Sequence, residues 1–231
     1  PGDCDRFQEK LSEVGMNVYY NPEFIAQGSI VKDLQTADMV LIGGKDDCYD
    51  KDQSKDKIWT SALLAEIYHK IQVTEPSIHY MSTKAAELTK IALNCFLTTK
   101  ISYANMIGEV LALSKMEREI GTVLKAIGSD SRVGNKYLGF GFGFGGPCFP
   151  RDNRAFAAYA KSVGVEYDIG TTTDNFNNAH AEFVKEYVLY HNHDKLPFCF
   201  RYLTYKPDTD ILTESQQYRL CLDLLNEGCK V

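Results

Sequence analysis

One change in the hydrophobic pattern constrains this chain more than any other feature: at Ser82-Thr83, short alternating elements give way to sustained helical periodicity. Ahead of that point, Phe7, Leu11 and Val14 recur at helical spacing and stop at Gly15, after which Asn17-Val18-Tyr19-Tyr20 reads as a strand. Met39-Val40-Leu41-Ile42 predicts a second, buried strand. A polar loop from Lys45 to Lys57, holding Cys48, leads to a helix from about Ile58 to Ile71. This order is that of the later portion of a parallel α/β sheet.

Beyond Thr83 a long helix is expected, with Leu88, Ile91, Ala92, Cys95 and Phe96 on one apolar face, then two or three more helical segments to about residue 128. A glycine-rich loop follows. The next helix, from about Arg151 to Val163, places Phe156, Tyr159, Ala160 and Val163 on one face and ends at Gly164. Residues 82–190 therefore read as mainly helical. Phe198 to Lys206 is strand-like, and Thr213-x-x-Gln216 is a capping box opening a helix with Tyr218, Cys221, Leu222 and Leu225 facing inward. The fold class is α/β with a mainly helical central domain, expected as three parts: 1–80, 81–192 and 193–231.

The 231 residues, 44% hydrophobic and 24% charged, bury an ordinary core. A net charge of -6 and a pI near 5.4 argue against a nucleic-acid surface, which needs clustered Lys and Arg. No run approaches the roughly 20 apolar residues of a membrane helix, and the N-terminus lacks the basic and apolar regions of a secretory leader. The seven cysteines are scattered without a Cys-x-x-Cys pair, which reads as reduced thiols in the cytoplasm and no metal site. Both ends read as lying inside domains, since Pro1 is not Met and Gly228-Cys229-Lys230-Val231 looks like a helix cap entering a new strand.

The loop Gly139-Phe140-Gly141-Phe142-Gly143-Phe144-Gly145-Gly146 holds a formal Gly-x-Gly-x-x-Gly match at 141, 143 and 146. That fingerprint needs a strand before it and a helix starting within it. Here Ser129 to Asn135 is polar, and Pro147 and Pro150 delay any helix until after Cys148, so the match is rejected. Either bare amides approach a ligand, or the run is a tight connector. Pro150 suits the start of a helix, which puts Cys148 at a helix N-terminus, where dipole and free amides favour a thiolate; the plainer reading is a small residue packed in a turn. Asp152 falls in the first turn, where it orients a water or merely suits the dipole. Lys90 and Asn94 share one helix face, fit for an oxyanion and a sugar hydroxyl or simply solvated. Glu23 follows a strand end, where open α/β sheets place ligand contacts.

Taken together, Asn21-Pro22-Glu23-Phe24-Ile25-Ala26-Gln27-Gly28, Glu87-Leu88-Thr89-Lys90-Ile91-Ala92-Leu93-Asn94, Asp130-Ser131-Arg132-Val133-Gly134 and Gly145-Gly146-Pro147-Cys148-Phe149-Pro150-Arg151-Asp152 resemble the UDP-glucose/GDP-mannose dehydrogenase family in order and spacing. Tyr205-Lys206-Pro207-Asp208-Thr209-Asp210 resembles its C-terminal motif. The resemblance implies the remnant of an N-terminal Rossmann-like sheet, a central helical dimerisation domain and the start of a C-terminal UDP-binding α/β domain.

It further implies an enzyme that oxidises the C6 alcohol of a nucleotide sugar twice, with NAD as cofactor and UDP-glucose as the expected substrate. Cys148 would carry the thiohemiacetal and thioester, Lys90 would stabilise oxyanions, Asn94 would bind sugar or water, Asp152 would help activate water, and Glu23 would act as base. Phe24, Ile25, Arg132, Lys206 and the loop residues Gly139, Gly141, Phe142, Gly143, Phe144 and Gly145 would hold substrate, with Arg132 reaching it from a neighbouring subunit of a homodimer built on the central helices. Arg151 would contact the cofactor. The family's NAD fingerprint would lie upstream of Pro1, so this stretch alone is expected to be inactive; a non-catalytic dimerising module with weak sugar-nucleotide binding is the alternative. Three departures from the family pattern stand out. Arg151 replaces a commoner lysine, Gln27 replaces an acidic residue of some members, and Arg201-Tyr202 and Thr213 depart from the usual C-terminal lobe.

Overall fold

Val40, Leu41 and Ile42 are each at most 3% exposed. They form the middle of strand β1 (Met39–Gly44), which pairs in parallel with β2 (Ser77–Ser82) in the register Met39 to Ser77 through Gly44 to Ser82. A strand buried on both faces reads as a continuous apolar run, which is why its sequence signal was plain. The structure, a computed structural model, describes residues 1–25, 29–44 and 59–231. The expected polar loop with Cys48, the start of its helix at Ile58, and Gln27 lie outside the described residues. The chain divides into two compact units, Pro1–Lys90 and Ile91–Val231.

The first unit holds α1 (Asp3–Ser12), α2 (Ile30–Gln35), β1, α3 (Trp59–Ile71) and β2, and the first residues of α4 (Thr83–Leu113). Val40 and Ile42 pack against Ala65 and Tyr68 of α3, with Leu34, Leu64 and Ile78 around them. Asn17 to Tyr20, expected as a strand, forms only an isolated antiparallel bridge, in which Tyr20 and Gly43 of β1 exchange both main-chain hydrogen bonds. Gly43 admits this crowding: a Cβ there would lie 2.7 Å from the Ala86 Cβ.

Within the same unit, Glu87 caps α1 from a great sequence distance. Its carboxylate accepts the Gly2 amide and, at 2.8 Å, the Cys4 amide, two donors that a helix N-terminus leaves unmet. Burial would push this carboxyl up, but the Cys4 side chain and the two amides outweigh it and hold the group below its ordinary value. Burial, then Glu87, pushes the Cys4 thiol up to about 12, so it stays protonated.

The second unit continues α4 and adds α5 (Ile120–Ser129), α6 (Phe149–Ser162), α7 (Ile169–His191) and α8 (Gln216–Asn226). Ala104, Leu111, Ile120 and Leu124 form its apolar core with Ile107, Val123 and Leu138. Gly108 lies under the Phe140 ring, whose Cδ2 would be 1.9 Å from an added Cβ, which explains a glycine in mid-helix. The architecture is mostly helical with one small parallel sheet. Among the described residues, no helix is long and apolar enough to cross a membrane.

Several local expectations are corrected. Phe198 to Lys206 forms no strand; the Phe198 amide donates to the Lys230 carbonyl at 2.8 Å and the Tyr205 amide to the Ile211 carbonyl at 3.2 Å, isolated bonds that make no ladder. The cap of α8 is Ser215, whose hydroxyl accepts the Tyr218 amide, rather than Thr213. The inward face is Gln217, Leu220, Cys221 and Leu224, with Tyr218, Leu222 and Leu225 turned outward. Phe96 and Val163, also expected to face inward, are 62% and 60% exposed.

Because the folded Glu87 carboxyl lies below its unfolded value, its contribution is present above the unfolded pKa and lost as pH falls through the folded one. Glu87→Gln should therefore cost about 1–3 kcal/mol near neutral pH, with the gap to wild type closing below about pH 4. Urea unfolding across that range checks it; a gap independent of pH would rule the carboxylate cap out.

Candidate active site

In the first unit, the segment bearing Glu23 is fastened by Asn21, which donates from Nδ2 to the Leu41 carbonyl and accepts from the Tyr68 hydroxyl, both at 2.8 Å. Burial pushes the Tyr68 hydroxyl up, so it remains a donor. Lys90, on α4, donates from Nζ to the main-chain carbonyl of Glu23 at 2.5 Å and lies 4.5 Å from the centre of the Phe24 ring. Lys90 and Glu23 therefore meet through the backbone, while the Glu23 side chain is exposed and Ile25 is half-buried. The carboxyl edge of the parallel pair lies at Gly44 and Ser82, the edge at which such sheets take a dinucleotide.

In the second unit, Cys148 is the N-cap of α6, with Phe149 and Pro150 opening the helix as the proline pattern predicts. Its thiol is exposed, as is that of Cys199, whereas Cys95 and Cys221 are buried. One turn on, Asp152 is 3% exposed. Its Oδ2 accepts from Asn94 Nδ2 at 2.6 Å, and its Oδ1 accepts from Arg151 Nε at 2.9 Å and Nη2 at 2.8 Å. Both carboxylate oxygens are thus occupied, one by a buried amide and one by a guanidinium at the surface. Asn94 lies one turn beyond Lys90 on α4, so this helix carries both groups.

The loop before Cys148 is tied down at several of its main-chain groups. The Gly141 amide donates to Asn105 Oδ1 at 3.0 Å, and the Gly141 carbonyl meets His180 Nε2 at 2.7 Å. Gly143 donates to Gln216 Oε1 at 2.6 Å, and Phe144 donates to Asn177 Oδ1 at 2.9 Å. Gly139, Phe140, Gly141 and Phe142 are exposed, whereas Phe144 and Gly145 are buried. Arg132, also exposed, is held by Asp130 through Nε at 3.0 Å and Nη2 at 2.8 Å, and this carboxylate raises its pKa. Lys100 secures the same turn by donating to the Val133 carbonyl at 3.0 Å. Lys206 is half-buried, with Nζ 5.7 Å from the Tyr205 ring centre. Among the described residues, no cluster of three or more His, Cys, Asp or Glu side chains is arranged to hold a metal.

Asn105, Asn177 and His180 lay outside the motifs, and Gln216 was read only as part of a helix cap. For Asn105 a signal existed, polarity at helix positions that should be apolar: Asn94, Thr98, Ser102, Asn105 and Glu109 form one stripe along α4. Because Asn94 is buried and Arg151 is 67% exposed in its side chain, the two donors to Asp152 should differ in worth. Asn94→Ala should cost about 1–3 kcal/mol by stranding a buried carboxylate oxygen, and Arg151→Ala less than about 1 kcal/mol. Denaturant unfolding measures both; equal costs would contradict the assignment.

The sequence model of the UDP-glucose/GDP-mannose dehydrogenase family's NAD binding domain matches residues 4–72, and that of its central domain matches residues 84–179. The UDP-glucose 6-dehydrogenase AglM of Haloferax volcanii is 30% identical over 221 residues, 94% of this chain and 48% of that protein. A UDP-glucose 6-dehydrogenase of Gallus gallus is 39% identical over 137 residues, 59% of this chain and 26% of that protein. A solved UDP-glucose dehydrogenase from Pyrobaculum islandicum superposes with a TM-score of 0.72 at 31% identity, covering 92% of this chain and 46% of its own. A UDP-D-ManNAc dehydrogenase from Pyrococcus horikoshii shares the fold, with a TM-score of 0.76 at 20% identity over 98% of this chain and 52% of its own. The chain spans about half the length of the curated relatives it matches. With one domain match running from α1 through β1 and α3 and another running from α4 into α7, the chain belongs to the UDP-glucose/GDP-mannose dehydrogenase family.

Proposed function

We propose that the enzyme carrying this chain oxidises the C6 primary alcohol of a nucleotide sugar, UDP-glucose foremost, to the carboxylate in two NAD-dependent steps, with Cys148 as covalent nucleophile. The observation that carries the reading is the setting of Cys148: an exposed thiol heading α6, one turn from a buried carboxylate whose oxygens are fixed by Asn94 and Arg151. An ordinary packed cysteine has no use for such an arrangement.

NAD, when bound, accepts a hydride in each oxidation. After the first, the Cys148 sulfur adds to the aldehyde carbon, and the adduct keeps a reactive intermediate from escaping. Loss of the second hydride leaves a thioester. Water then adds at the carbonyl, the carbon–sulfur bond breaks, and the carboxylate departs with the thiol restored. The ammonium of Lys90 offsets the negative charge on oxygen in the tetrahedral species. Asn94 binds a sugar hydroxyl or the water, Asp152 helps activate that water, and Glu23 is the base of hydrolysis. Phe24, Ile25, Lys206 and the 139–145 loop hold the substrate, Arg132 reaches it from a second subunit, and Arg151 contributes charge to the cofactor. In Cys148→Ser of the complete enzyme, NADH formation from UDP-glucose should fall by roughly a thousandfold or more. Activity near the wild-type level would dismiss the covalent role.

The second subunit is a further copy of this chain, docked along α4. Phe96, Tyr103, Met106, Val110 and Leu113 are 40–75% exposed on one stripe of that helix, at spacings of three, four and seven residues. That period suits packing against an identical helix, and a contiguous apolar stripe of this length calls for a cover. Light scattering should find the wild-type chain dimeric and Val110→Asp/Leu113→Asp monomeric with unchanged helicity. A monomeric wild type would refute this interface.

A further inference from the structure

We propose that Asn177 and Gln216 are positioning residues: together they fix the main chain that leads into Cys148, so that the loop is set before any ligand arrives. The segment between α5 and α6 has no regular secondary structure around residues 139–147, so its amides and carbonyls need partners from elsewhere. Asn177, on α7, supplies two at one point. Its Oδ1 accepts the Phe144 amide at 2.9 Å and its Nδ2 donates to the Phe144 carbonyl at 2.9 Å, the double exchange that a neighbouring strand would make.

Gln216, the first residue of α8, accepts the Gly143 amide at 2.6 Å and donates from Nε2 to the Asn177 carbonyl at 2.8 Å. It therefore ties α8, α7 and the loop into one network, and it is 7% exposed. The close approach of these two amides dictates the glycine between them. A Cβ on Gly143 would lie 2.1 Å from Asn177 Oδ1 and 2.5 Å from Gln216 Nε2. The next two glycines are equally confined. A Cβ on Gly145 would stand 2.3 Å from the Glu214 carbonyl, and Gly146, at φ +82°, lies under the Tyr205 ring. The Gly146 amide donates to the Thr213 carbonyl at 2.9 Å. From Gly143 to Gly146 the chain is thus held at successive points, and Cys148 follows two residues later.

The catalytic meaning of this clamp rests on Cys148 being the nucleophile; the clamp itself does not. The test uses this chain and its thiols. Iodoacetamide labelling, followed site by site by mass spectrometry, is compared among wild type, Asn177→Leu and Gln216→Leu. Cys199 is the exposed standard, and buried Cys95 and Cys221 report unfolding. A thiol held at a helix N-terminus reacts more readily than one free to swing away. Labelling of Cys148 should slow about fivefold in each leucine variant, roughly the effect of losing one net hydrogen bond, while Cys199 is unchanged and Cys95 and Cys221 stay protected. A wild-type rate at Cys148 with the buried thiols protected overturns the proposal, as does equal slowing of Cys148 and Cys199. Should the leucine variants expose Cys95 and Cys221, the decision passes to Asn177→Asp and Gln216→Glu. Asn177→Asp keeps the acceptor for the Phe144 amide and should slow Cys148 less; Gln216→Glu keeps the acceptor for Gly143. Wild-type rates in both then overturn the proposal. In the complete enzyme, kcat should fall in the leucine variants with KM for NAD unchanged. Slower labelling without lower kcat would leave the clamp standing and remove Cys148 from catalysis.

Discussion

The second unit is organised by the burial of polar side chains along α4, where most helices bury hydrocarbon. Asn94, Thr98 and Asn105 are each at most 7% exposed. Buried polar groups are costly unless matched, and each match recruits another element. Asn94 takes Asp152 of α6, Thr98 takes Asn153 at 2.8 Å, Asn105 takes the Gly141 amide, and Glu109 takes His180 of α7 at 2.6 Å. The His180 pairing also settles a proton. A carbonyl only accepts, so Nε2 carries a hydrogen toward Gly141. The same helix leaves an apolar stripe exposed on a neighbouring face, so its buried and its exposed faces are specified by different side chains.

Other contacts fix the nucleophile's surroundings from the C-terminal side. Arg154 of α6 forms a two-point pair with Glu214, at 2.8 Å for each nitrogen, and reaches Asp174 of α7 at 3.2 Å. Glu214 adopts φ +48°, an uncommon backbone for a residue with a side chain. Its carbonyl faces the bare Gly145, and the adjacent Ser215 caps α8. The pair therefore holds a strained turn against the glycines that precede Cys148.

How much of this was legible follows from the range of each interaction. The buried strand β1, the helix opened by Pro150 and the position of Cys148 at its head are set by a few adjacent residues, and all were readable. Strand β2 was not, because Ser77-Ile78-His79-Tyr80-Met81-Ser82 lacks clean alternation and is a strand by virtue of its partner β1. Phe198 to Lys206 erred the opposite way: its composition suits a strand, but a ladder partner is not in its sequence. Around Cys148, Asn177 and His180 were not singled out and Gln216 was read only as a helix-cap residue, because their partners in the loop are main-chain atoms 33 to 73 positions away. The stripe of polar residues on α4 was the one local sign that such partners existed.

Asn177 and Gln216 grip the loop with carboxamides, which neither gain nor lose charge over the working range of a protein. Salt bridges in their place would loosen with ionic strength and with protonation. The grip on Gly143 and Phe144 is therefore indifferent to acidity and electrolyte, whereas the turn behind Gly145, held by the exposed Arg154–Glu214 pair, is the part of the scaffold that salt and acid can reach.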